Sequence, residues 1–221
     1  MNKTEVLRRI AEVGVVPVVR ASSAEEAVRV VEAIREGGVP VLEITMTVPR
    51  AVRVIEQLAD RYGSGVIVGA GTVLDAETAR ACILAGAAFV VSPALNTGTI
   101  ELCRRHSVAV MPGALTPTEV VTAWQAGADV VKVFPCGALG GAKYLKSLKA
   151  RLPQIEMIPT GGVSLKTAAE FIEAGALALG VGADLVDTKA IRAGQAGKVT
   201  EAARAYVAAV RAARAGGPAQ K

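Results

Sequence analysis

The 221-residue chain is long enough to bury about 70% of its unfolded surface as one domain, so folding requires neither disulfide nor metal. Its charge of +5 and its 3% aromatic content exclude a nucleic-acid footprint or a base-stacking platform, while 52% apolar residues, chiefly aliphatic, suit buried parallel strands. Three cysteines without a CxxC and a single histidine, His106, argue against a disulfide framework and a zinc site; no cofactor or metal is expected.

In chain order, the charged start MNKTEVLRRI lacks the apolar run of a secretory leader, and its residues 3–12 predict a leading helix that closes one end of the fold. No apolar stretch of about 18 residues follows, so the chain is expected in the cytoplasm without membrane contact. Short β-branched runs then recur: VVPVVR (15–20), VLEITM (41–46), VIVGAGT (66–72), FVVSP (89–93), VAVMPG (108–113), VVKVFP (130–135), EMIPTGG (156–162) and ALGVGAD (178–184). Their centres lie about 20–26 residues apart, the mark of a repeated unit. Helical periodicity fills the gaps, as in 22–38, where Ala27, Val30, Val31 and Ile34 form one apolar face. Glycines at 38, 86, 127 and 175 stop helices, and Asp75, Thr116 before Pro117, and Ser164 start them. Eight β–α units predict a single (β/α)8 TIM barrel over residues 1–214 with an extra N-terminal helix, followed by a flexible tail at 215–221. An open doubly wound sheet fits less well, because ASSAEE after the first strand has no dinucleotide-type glycine loop.

Two strands carry misplaced charges. With a two-residue period, Val41, Glu43 and Thr45 share one face, and so do Val130, Lys132 and Phe134. In a barrel whose helices cover the more apolar outer face, Glu43 and Lys132 both point inwards. They form either a structural ion pair or a reaction centre, in which a desolvated amine attacks a ketone and the carboxylate relays protons. Phe134 either shields that centre from water or simply packs. TGGV (160–163) and GVGAD (180–184) end adjacent strands with glycines, which mark tight turns or a phosphate site built from backbone N–H groups. Thr72 ends GAGT, either as a hydroxyl for a carboxylate or as part of a helix-entry turn capped by Asp75. His106 reads as an exposed helix-end residue. The same features leave open an imine-free barrel isomerase or decarboxylase, and a non-catalytic binder of small acids.

LEIT around Glu43, GAGT, VSP ending at Pro93, MPG, VKVFP around Lys132, PTGG and GVG occur in an order that resembles the 2-keto-3-deoxy-6-phosphogluconate and 4-hydroxy-2-oxoglutarate aldolases over about residues 8–210. The resemblance implies a class I aldolase with Lys132 as the Schiff-base lysine and Glu43 as the general acid/base. It further implies that Thr72 and Thr160 contact the substrate, Pro93 shapes the pocket and Phe134 lies beside the imine. Gly161, Gly162 and Gly182 match the phosphate loops. Family members are typically cytoplasmic homotrimers that act on a phosphorylated 2-keto acid without a metal. Two positions depart from the pattern: Thr47 stands where many relatives have arginine, and Ala183 where many have serine. Arg20 or Arg50 is then expected to hold the substrate carboxylate, and backbone N–H groups around Ala183 the phosphate.

Overall fold

The computed structural model describes residues 1–216, and within them nine short strands alternate with helices. The strands are β1 (Val15–Val19), β2 (Val41–Thr45), β3 (Ile67–Gly71), β4 (Phe89–Val91), β5 (Ala109–Met111), β6 (Gly113–Ala114), β7 (Val131–Val133), β8 (Met157–Pro159) and β9 (Leu179–Val181). The helices are α1 (Lys3–Val13), α2 (Ala24–Glu36), α3 (Ala51–Tyr62), α4 (Ala76–Leu84), α5 (Thr97–Arg105), α6 (Pro117–Ala126), α7 (Ala142–Arg151), α8 (Ala168–Glu173), α9 (Thr188–Arg192) and α10 (Ala196–Gly216). All strand pairings are parallel. Six strands form one curled sheet in the order β5-β4-β3-β2-β1-β9 and three form another in the order β6-β7-β8. A single Thr160–Gly180 bridge links β8 to β9, and the chain itself joins β5 to β6 through Pro112. The fold is therefore an α/β fold with parallel strands in a curled half-barrel sheet of TIM-like form.

Strand faces separate two apolar clusters. Val16, Val41, Ile67, Phe89, Met111, Val130 and Ile158 meet Val6 and Ile10 of α1 on the inner side, whereas alternate residues such as Val15, Leu42, Val68, Val90, Val131 and Leu179 pack outward against the helices. The two-residue period thus sorts each strand, and α1 plugs the inner cluster as the sequence predicts. Every strand residue is buried, which explains runs that are apolar on both faces.

Three expectations change. VAVMPG, read as one strand, is split at Pro112, which has no N–H for a ladder. Ser164 does not cap α8: Thr167 precedes that helix, and Ser164 forms a local turn with it through the Thr167 Oγ1 contact at 3.0 Å. Ala215 and Gly216, expected to begin a tail, instead belong to α10, and the rest of that expected tail, residues 217–221, lies outside the described residues. The other caps form as read, including an Asp75 side chain 2.6 Å from the Thr78 N–H and a full capping box between Thr116 and Glu119. No helix among the described residues is long and apolar enough to cross a membrane.

Candidate active site

Glu43 sits in the middle of β2, where parallel pairing sets it against Val18 of β1 and Gly69 of β3. Its carboxylate leans over Gly71, since a Cβ built there would lie 1.8 Å from Glu43 Oε1. Only glycine leaves that volume free. Lys132 occupies the centre of β7, its N–H held by the Pro112 carbonyl at 2.9 Å. The two side chains converge with 3–4% of their surface exposed, Lys132 Nζ standing 4.0 Å from Glu43 Oε1. That distance is informative. A charge-assisted bond of a structural ion pair closes to about 2.7–2.9 Å and satisfies both groups, whereas here Glu43 Oε1 is buried with no hydrogen-bond partner. An orphaned buried carboxylate oxygen is costly unless a ligand or water fills the gap. The Phe134 ring lies 5.3 Å from Lys132 Nζ, on the same side of the strand.

Burial pushes the nearby Cys136 thiol up to about 11, which leaves it a thiol at neutral pH. Among the described residues no group of three or more His, Cys, Asp and Glu could hold a metal ion.

The remaining predicted residues sit at the C-terminal ends of the strands. Thr72 follows β3 with φ of 57°, a left-handed conformation unusual for a β-branched residue, and Asp75 caps α4 just beyond it. The helix-entry turn read in GAGT is therefore present. Pro93 packs its carbonyl against Gly113, where a Cβ would approach to 2.3 Å, and Ser92 Oγ donates to the Ala94 carbonyl at 2.7 Å. Thr160 is buried over Gly180, which has no side chain to exclude its hydroxyl. Gly161 and Gly162 have φ near 80° and stack on the turn after Pro135, with the Gly137 N–H donating to the Gly161 carbonyl at 2.9 Å. An open pocket of about 470 Å³ adjoins these glycines; its lining includes Gly137, Gly162, Thr167 and Phe171 but neither Lys132 nor Glu43.

Gly182 is half-buried and Ala183 exposed. Arg20, also exposed, places Nη1 3.9 Å from where a Gly182 Cβ would be, so it stands beside the glycine loops. Thr47 is turned into a short hydroxyl chain, 2.6 Å from Thr45 Oγ1, which donates to the Val19 carbonyl at 3.1 Å. Arg50 begins α3 in a left-handed conformation and its charge acts on Glu25. His106 is the exposed C-cap of α5.

Gly71 and Gly180 were not singled out from sequence. Both lay inside quoted motifs, but a glycine that makes room for a neighbour on the next strand is legible only once the strands are in register.

A family model for KDPG and KHG aldolase matches residues 6–202. The chain belongs to this family. A 2-dehydro-3-deoxy-phosphogluconate aldolase of Treponema pallidum is 33% identical, covering 88% of this chain and 92% of the relative. A 2-dehydro-3-deoxy-6-phosphogalactonate aldolase of Escherichia coli is 35% identical, covering 89% and 94%. The solved KDPG aldolase of Legionella pneumophila, with pyruvate captured as a covalent carbinolamine, superposes with a TM-score of 0.84 at 28% identity over 91% of this chain and 97% of that one. As a member of the KDPG and KHG aldolase family, the protein is a carbon–carbon lyase.

Proposed function

We propose that this family member is a class I aldolase that cleaves 2-keto-3-deoxy-6-phosphogluconate to pyruvate and glyceraldehyde 3-phosphate, and also accepts 4-hydroxy-2-oxoglutarate. The observation that carries the reading is the buried, unclosed Lys132–Glu43 pair with its orphaned Oε1. The Lys132 amine adds to the C2 ketone, and the carbinolamine loses water to give an iminium with Lys132 Nζ. Glu43 takes the C4 hydroxyl proton, the C3–C4 electron pair moves toward the iminium, and an aldehyde leaves behind an enamine. Protonation of that enamine and hydrolysis of the resulting imine release pyruvate and restore the amine. Phe134 keeps bulk water from the imine. Thr72 and Thr160 contact the substrate, Pro93 shapes its pocket, and Gly161, Gly162, Gly182 and Ala183 offer N–H groups to its phosphate, with Arg20 beside them.

This reading includes closure of the two sheets into one eight-unit barrel domain, and a cytoplasmic homotrimer as the working assembly. Borohydride added with pyruvate tests it. A pyruvyl adduct mapped to Lys132, with matching loss of activity, is the expected result; unmodified protein after full reaction rejects the imine.

A further inference from the structure

Asp184 lies one residue beyond Ala183, in the turn after β9, and has no part in the reaction steps above. One of its oxygens, Oδ2, accepts both the Leu165 backbone N–H at 3.0 Å and the Tyr206 hydroxyl. The three partners come from different places. Leu165 follows the Gly161–Gly162 turn, Asp184 follows Gly182, and Tyr206 is fully buried on α10. Burial first, and then the bond to Asp184, push the Tyr206 hydroxyl far above the ordinary tyrosine range, so it remains a donor.

The ladder between these two loops ends at the Thr160–Gly180 bridge. Beyond it the Asp184–Leu165 bond ties one loop to the other. Leu165 is itself 43% exposed, so burial of its own side chain does little to anchor that loop. Ala183 supplies no hydroxyl, so beside Arg20 the anion relies on N–H groups whose value depends on their spacing.

We propose that Asp184 is a positioning residue for the phosphate end of the substrate, fixing the Gly161–Gly162 turn and the Gly182–Ala183 turn at a spacing where their N–H groups converge on one anion. The proposal rests on the reading of these loops as a phosphate cradle. The carboxylate works against its own charge, since an anion near a phosphate repels it; its two donors must outweigh that repulsion.

The sign of a substitution effect separates the two roles. In Asp184→Ala the KM for the phosphorylated substrate and the inhibition constant of inorganic phosphate, read on 4-hydroxy-2-oxoglutarate cleavage, both rise about tenfold, as expected for lost hydrogen bonds to a charged group. The kcat for the phosphorylated substrate and the KM for 4-hydroxy-2-oxoglutarate change by less than about twofold. Asp184→Asn, whose carbonyl still accepts both bonds, recovers most of the phosphate affinity. Tighter phosphate binding in Asp184→Ala, which loses the charge and both bonds together, assigns Asp184 mere repulsion and overturns the proposal. So do unchanged constants in both variants, or equal losses for both substrates accompanied by a lower melting temperature. A wild type that neither discriminates between the substrates nor responds to inorganic phosphate overturns the cradle itself, a result distinct from variants that match a phosphate-sensitive wild type.

Discussion

The two ends of the site are built of different material. At the proposed reacting end, Glu43 and Lys132 each occupy the middle of a buried strand in a parallel ladder, and Gly71 leaves room for the Glu43 carboxylate. At the other end, the turns at 161–162 and 182–183 leave their strands, with Gly162 and Ala183 exposed. Bond making needs a desolvated amine and a proton acceptor within a narrow gap, and strands supply that precision. Holding a phosphate needs several N–H donors around one anion, and loops supply those with little dependence on side-chain identity. Substitutions at the first end are therefore expected to change kcat, and at the second to change KM for phosphorylated substrates alone.

The largest effect tests the first end. Lys132→Met removes the nucleophile, so turnover and borohydride trapping fall to background. Breaking a buried charge pair costs about 3–5 kcal/mol, at the low end of a domain's typical stability, so thermal unfolding should still show a cooperative folded state. Loss of folding together with activity would make the pair structural. Glu43→Gln should slow turnover by about 10²–10⁴-fold while slow trapping persists. Gly71→Ala should act similarly, because its new Cβ meets the carboxylate at 1.8 Å and displaces it. Near-normal kcat in Gly71→Ala would break the link between that cleared space and proton transfer.

At the second end, Ala183→Ser adds a hydroxyl to the cradle and should lower KM for the phosphorylated acid by about 10-fold or more, leaving 4-hydroxy-2-oxoglutarate unchanged. Equal kcat/KM values for both substrates in serine variant and wild type alike would reduce these loops to turns.

The smallest effect is on stability. Glu26 is buried on α2, accepts from Ser22 and pairs with Arg192 of α9 at 2.7 Å. Burial alone would raise its carboxyl, but the Ser22 bonds and the Arg192 charge hold it below the ordinary value. A lowered folded-state value gives stability that is present above the unfolded carboxyl range and is lost as pH falls through the folded value. Urea midpoints of wild type and Glu26→Gln should differ at neutral pH and converge in acid. A gap that widens in acid would reverse the assignment.

Much of this was legible beforehand because the signals are local. Strand spacing, the 22–38 apolar face, the glycine stops and the Thr116–Glu119 box each depend on residues a few positions apart, and all form as read. The inward pointing of Glu43 and Lys132 followed from a two-residue period plus one assumption about which face the helices cover. The break at Pro112 and the failed Ser164 cap show the limit: a run can look continuous, or a cap plausible, while the neighbouring segment takes the hydrogen bond elsewhere.

By itself the sequence determined which elements form, which faces are buried, and which charged residues have no apolar alternative on their strand, because periodicity and capping are short-range physics. Tertiary structure alone decided the 4.0 Å gap between amine and carboxylate, the room that Gly71 makes for Glu43, the approach of Arg20 to Gly182, and the reach of Asp184 to Leu165 and Tyr206. Each joins residues far apart in the chain, and their separation depends on strand register and loop path rather than on any pattern within a single segment.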